Sequence, residues 1–156
     1  ALGGKRFDIV YTGMGSLNWL PNLDRWATVV AQLLEPGGFL YLYEIHPLCM
    51  AMNDEGSALA EPIYAAGFKP YDTGVGSYAA PDRQFENTTA YERVHSIGEL
   101  QTAVLHAGLV LESYREFART PVPRPFLEKG SDGFYRLPPG RIAFPLSYSL
   151  KARKPA

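Results

Sequence analysis

Glu44 and His46 are the residues best suited, by type and spacing, to acid–base chemistry. They stand two apart at the end of the apolar run Phe39–Ile45, and residues two apart on a strand share a face. An imidazole titrates near neutral pH and can act as a general base. The same ring could instead close the strand by bonding a backbone carbonyl, and Glu44 could satisfy a neighbouring loop. A second place follows the run Phe7–Thr12, where Tyr11, Thr12, Gly13, Met14 and Gly15 lead to Trp19. In open α/β sheets, ligands bind beyond the carboxyl ends of the strands. Trp19 could stack on such a ligand or simply cover the start of a helix. His95 and His106 are weaker candidates, and His106 reads as a surface position on a helix.

Other chemistries lack their signatures. Gly13-Met14-Gly15-Ser16 follows a strand, but the third glycine of a dinucleotide fingerprint is replaced by Asn18. No G-x-S-x-G surrounds Ser16, and no Walker lysine is present. The three histidines and Cys49 show no metal-ligand spacing, so no metal is expected.

The elements that must position these residues are legible. Phe7–Thr12 reads as a buried strand. Asn22 caps a helix with Asp24 in its first turn. Leu23, Trp26, Val30 and Leu33 mark the buried face of that helix. Glu35-Pro36-Gly37-Gly38 stops it, and Phe39–Ile45 follows with the continuous apolar pattern of a strand buried on both faces. The result is a βαβ unit.

Beyond His46-Pro47 the periodicity fails. Residues 48–95 are rich in Gly, Ala, Pro and Tyr, as in Gly74-Val75-Gly76-Ser77-Tyr78. A loop of this length suggests a lid or a binding insertion, or an excursion packed by its own aromatics. Tyr91–His95 could be a short extended piece. Ser96-Ile97-Gly98-Glu99 is a capping box for a helix with Ile97, Leu100, Val104 and Ala107 inward and Gly108 at its end. Leu109–Phe117 reads as a strand, and Thr120–Pro125 as a stiff connector. Phe144–Lys151 alternates as a last strand with one apolar face, Pro145 suggesting an edge or bulge at its start.

The 156 residues suffice for one domain with a real core. A hydrophobic content of 46% with 20% charged residues excludes global disorder. A net charge of -1 without a basic patch argues against a nucleic-acid partner, and the Lys151–Lys154 tail reads as a solvated end. No apolar run approaches the roughly 20 residues of a membrane span, so no membrane partner is expected. One cysteine cannot form an internal disulfide, which suggests a reducing, cytoplasmic setting. The chain starts at Ala1 rather than Met and reaches a strand within a few residues, as though entered midway.

FDIVYT, GSLNWLPNLDRW and LLEPGGFLYLYEIHPL together resemble the second half of class I S-adenosylmethionine-dependent methyltransferases of the small-molecule type. The resemblance implies an α/β fold: the C-terminal half of a Rossmann-like seven-stranded sheet, mostly parallel with an antiparallel final strand. It covers a single partial domain, 1–156, with a lid-like insertion at about 48–95. It implies S-adenosylmethionine as cofactor and a small organic molecule as methyl acceptor. Tyr11, Thr12 and Gly13 would touch the cofactor, Trp19 the substrate, and His46 with Glu44 would be catalytic. The family's glycine-rich motif and its ribose-binding acidic residue are missing here, so the chain alone is expected to be inactive. A strand such as Phe7–Thr12 would be left as an exposed edge, open to pairing with a second copy as a homodimer. The alternative is a non-catalytic binding or interaction module that keeps half of the fold.

Overall fold

The computed structural model describes residues 4–64, 67–72, 76–77, 80–84 and 86–156. Strand β1 (Phe7–Gly13) leads through a 3-10 turn (Leu17–Trp19) into helix α1 (Leu23–Leu33), strand β2 (Leu34–Ile45) and the short helix α2 (Pro47–Ala51). Strands β3 (Lys69–Asp72), β4 (Gly76–Ser77), β5 (Ala80–Gln84) and β6 (Thr89–Glu92) follow. The chain ends with α3 (Ile97–His106), β7 (Val110–Phe117), the hairpin β8 (Glu128–Lys129) and β9 (Tyr135–Arg136), and β10 (Ser147–Arg153).

The main sheet has the order β1-β2-β10-β7. β1 and β2 are parallel, and β10 runs antiparallel to both of its neighbours, β2 and β7. The fold is therefore α/β with a mixed sheet. Three of its strands share a direction and the last in sequence is reversed. Of the seven strands implied by the family resemblance, four form this sheet among the described residues. Both α1 and α3 pack on one face, where Val10, Leu40, Leu42, Leu150 and Ala152 meet Ala27, Val30, Leu100 and Val104. The opposite face carries aromatics: Tyr11 stacks on Tyr41, and Phe117 meets Tyr43 edge-on.

The helix signals act as expected. Asn22 accepts from the Arg25 N–H at 2.8 Å. Ser96 and Glu99 make both bonds of the capping box, at 3.1 and 2.9 Å. The φ of +77° at Gly108 closes α3. Both helices bury the stripes marked by Leu23, Val30, Leu100 and Val104.

Three expectations need correction. The buried reading of Phe7–Thr12 and Phe39–Ile45 holds for one face only: Phe7, Ile9, Tyr11 and Tyr41 are exposed, because the helices cover a single side of the sheet. The final strand begins at Ser147, not Phe144, and it is no edge. Ser147, Tyr148, Ser149 and Leu150 are all buried because β10 is wedged between β2 and β7. Phe144 instead packs against Phe126 in a second small core with Cys49 and Leu146. The basic tail is not a solvated end. Lys154 Nζ donates to the carbonyls of Ala31 and Leu34, both at 2.8 Å, and so caps α1. Lys151 and Arg153 both pair with Glu112. The segment that follows β2 holds α2 and two small antiparallel pairs, β3/β6 and β4/β5. Gly74, Val75 and Tyr78 of that segment lie outside the described residues.

The two glycines in the first half of β2 have separate reasons. Gly37 has φ +81°, which only glycine adopts without strain. A Cβ on Gly38 would fall 2.9 Å from the Asp8 carbonyl oxygen and 3.1 Å from that of Phe7, so this glycine permits β1 to lie against β2. Gly37→Ala should cost about 1–2 kcal/mol. Gly38→Ala should cost about 3 kcal/mol, since the obstructing atoms are backbone and cannot swing aside. Urea midpoints for the two variants test this order.

Candidate functional site

The site is built on the ends of β1 and β2. Met14 extends the ladder by one bond, its N–H donating to the Tyr43 carbonyl at 2.9 Å. Met14 and Gly15 then turn with φ of +53° and +80°. Successive N–H groups in such a turn form an anion-binding nest. Here the anion is a side chain of the protein itself, Glu44. It accepts from the N–H of Gly15 at 2.5 Å, from the N–H and Oγ of Ser16 at 2.9 and 2.8 Å, and from the N–H of Leu17 at 3.4 Å. The residue is only 3% exposed. The carboxylate thus ties the loop after β1 to the end of β2 and places the turn that carries Asn18 and Trp19.

Asn18 links this loop to the insertion. Its Nδ2 donates to Glu92 Oε2 at 2.9 Å, and its carbonyl accepts from the Arg93 N–H at 3.0 Å. Together these segments frame a cleft of about 520 Å³, a size typical of small-molecule sites. Met14, Trp19, Ile45, Met50, Val94 and Val122 give it apolar walls. Asn18, Glu92, Arg93 and Arg124 also border it, as does the ion pair of Lys69 with Glu61.

His46 lies outside that lining. It is 6% exposed and caps α2, its Nδ1 accepting from the Leu48 N–H at 3.1 Å. The ring proton therefore sits on Nε2, which faces Glu116 Oε1 at 3.3 Å. Neither nitrogen keeps a free lone pair in this arrangement. Tyr148 packs edge-on against the ring, and Tyr114 donates to the same Glu116 oxygen at 3.1 Å. Burial pushes the Tyr148 hydroxyl well above its ordinary pKa, helped by the Glu44 charge. Burial also pushes the Cys49 thiol up to about 11, which keeps it protonated and inert.

Of the residues singled out in the sequence, Trp19 borders the cleft and Glu44 supports its floor. Tyr11, Thr12 and Gly13 do not line it. Tyr11 stands on the opposite sheet face, 60% exposed and stacked on Tyr41. His95 Nε2 donates to the Leu20 carbonyl at 2.9 Å, and His106 is exposed beside Asp24. The cleft residues that sequence reasoning missed are Asn18, Glu92, Arg93 and Arg124. Nothing local marks them, since they converge from three separate segments. Among the described residues, no group of three or more His, Cys, Asp and Glu could hold a metal, and no helix is long and apolar enough to cross a membrane.

No protein-family model and no curated protein matches the chain in sequence. Solved structures do match in fold. An S-adenosylmethionine-dependent methyltransferase from Mesorhizobium loti is 20% identical, with a TM-score of 0.57 over 97% of this chain and 63% of its own. A second methyltransferase of that dependence, from Listeria monocytogenes, is 16% identical, with a TM-score of 0.60 over 100% of this chain and 65% of its own. The fold is similar to that of class I S-adenosylmethionine-dependent small-molecule methyltransferases. This chain spans less than two thirds of the length of either structure. The [4+2]-cyclase SpnF also matches, at 16% identity and a TM-score of 0.51 over 98% of this chain and 52% of its own. The likeness is therefore one of fold, and the chemistry must be argued from the site.

Tyr11, Thr12 and Gly13 form the carboxyl end of β1. The space beside Gly13 is filled by the Tyr11 side chain, with which a Cβ would collide. The buried polar side-chain atoms without a partner among the described residues all lie elsewhere.

Two outcomes follow from the buried network. Glu44→Gln replaces a charged acceptor with a half-donor facing several N–H groups and should destabilise by roughly 2–4 kcal/mol, read as a lower urea midpoint. Burial lowers the pKa of both His46 and His95, with Glu116 and the Leu20 carbonyl opposing it in part. The unfolded chain then binds protons at higher pH than the folded one. Stability should be full above about pH 6.5 and fall progressively below it, and His46→Gln should flatten that slope in pH-dependent melts.

Proposed function

We propose that this chain is the C-terminal part of a methyltransferase domain and supplies its acceptor cleft. The complete protein would transfer a methyl group from S-adenosylmethionine to an O, N or C atom of a small organic molecule. The supporting observation is the strand order. A parallel β1–β2 pair is followed by a reversed β10 inserted before β7, with a ligand-sized cleft at the carboxyl ends of β1 and β2. Fold similarity to the two methyltransferases above favours the same reading.

The cofactor would provide a methyl group that is already electrophilic, and segments outside this chain would hold most of it. Tyr11, Thr12 and Gly13 would form one wall. The task left to this chain is to hold the acceptor in line and keep water away, which suffices to accelerate such a transfer. Trp19 and the apolar walls position the acceptor. Glu44 and His46 act through the scaffold: one fixes the loop that carries Asn18 and Trp19, the other the start of α2. The open edge of β1 would pair with a further strand of the complete domain, or with a second copy in a homodimer. Sedimentation equilibrium of the full-length protein separates these two. A reducing, cytoplasmic location suits its buried free Cys49.

A non-catalytic binding module is the second reading. It is favoured by one observation: the cleft is formed by this chain's own segments.

Calorimetric titration of the full-length protein with S-adenosylmethionine, followed by detection of S-adenosylhomocysteine with small-molecule acceptors, tests the proposal. Saturable binding and turnover are expected, and the absence of binding would leave the binding module. Trp19→Ala should raise KM with less effect on kcat. His46→Gln should leave turnover within about threefold, with no ionisation near neutrality in the kcat/KM profile. A loss of about 100-fold together with a vanished pH limb would instead make His46 the general base.

A further inference from the structure

The buried side-chain polar atoms without a partner among the described residues are Asn18 Oδ1, Arg93 Nε and Arg124 Nε. All three residues border the one cleft. Buried polar atoms are ordinarily satisfied, so a cluster of exceptions at a cavity is a demand for a ligand. The polarity of each atom is determined. Asn18 is 8% exposed, and its Nδ2 must face Glu92 because a carboxylate can only accept. Oδ1 is therefore a fixed acceptor. The two guanidinium N–H groups are fixed donors.

Two of the cations on the lining are already paired. Lys69 is paired with Glu61, and Arg93 with Glu99. Arg124 donates one bond to the Met52 carbonyl at 3.2 Å and lies 5.8 Å from the centre of the Phe126 ring. Among the described residues it forms no ion pair. A half-buried guanidinium in that state favours an anion, and a carboxylate matches its planar fork. Also on the lining, Asn18 Oδ1 and the Glu92 carboxylate are both acceptors and call for an N–H or O–H. The apolar walls, with Trp19, suit a flat hydrocarbon body.

We infer that the cleft binds a small organic acid of aromatic or similar apolar body, with its carboxylate on Arg124 and an amine or hydroxyl on Asn18. This rests on the methyl-transfer reading only for the fate of that amine or hydroxyl, which would be the methyl acceptor. Binding of the acid stands on the orphaned atoms alone.

The test uses the full-length protein and four probes: 4-hydroxybenzoate, 4-aminobenzoate, the methyl ester of the first, and benzoate. By calorimetry, 4-hydroxybenzoate should bind about 10- to 100-fold more tightly than its ester. Arg124→Gln should abolish that preference while leaving ester affinity unchanged, and Arg124→Lys should retain part of it. Asn18→Ala should weaken both para-substituted acids more than it weakens benzoate. The comparison of acid with ester needs only the wild-type protein, so a variant that fails to fold does not shield the inference. Equal affinity for acid and ester would overturn it and mean that water satisfies the orphaned atoms. If neutral acceptors are methylated under those conditions, the methyltransferase reading survives without this substrate class. If the acid binds through Arg124 and Asn18 but S-adenosylmethionine does not bind, the substrate class stands and the methyl-transfer reading falls.

Discussion

A carboxylate buried at the end of a strand has to be satisfied, and in this protein the loop after the neighbouring strand does it. Glu44 sits at the carboxyl end of β2 and gathers the N–H groups of Gly15, Ser16 and Leu17. Without that anion, residues 14–17 would present several inward N–H groups to one another, and the left-handed turn at Met14 and Gly15 would have nothing to close upon. Everything at the cleft is downstream of this contact. The turn places Asn18, Asn18 tethers Glu92 and Arg93, and those residues bring the insertion over the sheet end.

The two faces of the sheet are unequal. One is finished: α1 and α3 bury Leu40, Leu42 and Leu150 completely, and Lys154 caps the end of α1. The other carries Ile9, Tyr11 and Tyr41 with substantial exposure, beside the unpaired edge of β1. A parallel strand is normally covered on both faces and paired on both edges.

The chemistry of the cleft contrasts with the chemistry first looked for. An imidazole and a carboxylate two residues apart invite an acid–base reading, yet both are consumed by the scaffold: His46 by α2 and Glu116, Glu44 by the loop. Among the described residues, the buried side-chain groups left without a partner are an amide oxygen and two guanidinium N–H groups. Such groups recognise and orient a ligand rather than exchange protons with it. That fits a transfer that depends on placement, and it is why a fold shared with a cyclase does not by itself decide the reaction.

The sequence by itself determined the local elements, because their causes are local. Asn22 and the Ser96–Glu99 box cap their helices wherever those helices pack, and Pro36-Gly37-Gly38 ends α1 in any context. The periodic stripes of α1 and α3 likewise name their buried faces. The resemblance also carried the direction of the last strand. Tertiary structure alone decided the place of β10. Its alternation suggested one apolar face and an edge, but insertion between β2 and β7 buries its serines as well. The basic tail, which looks solvated in sequence, became a cap and an ion-pair partner for the same reason. The site was least legible of all. Asn18, Glu92 and Arg124 are far apart in the chain, and a side chain's hydrogen-bonding capacity counts as unused only after the fold has assigned every neighbour.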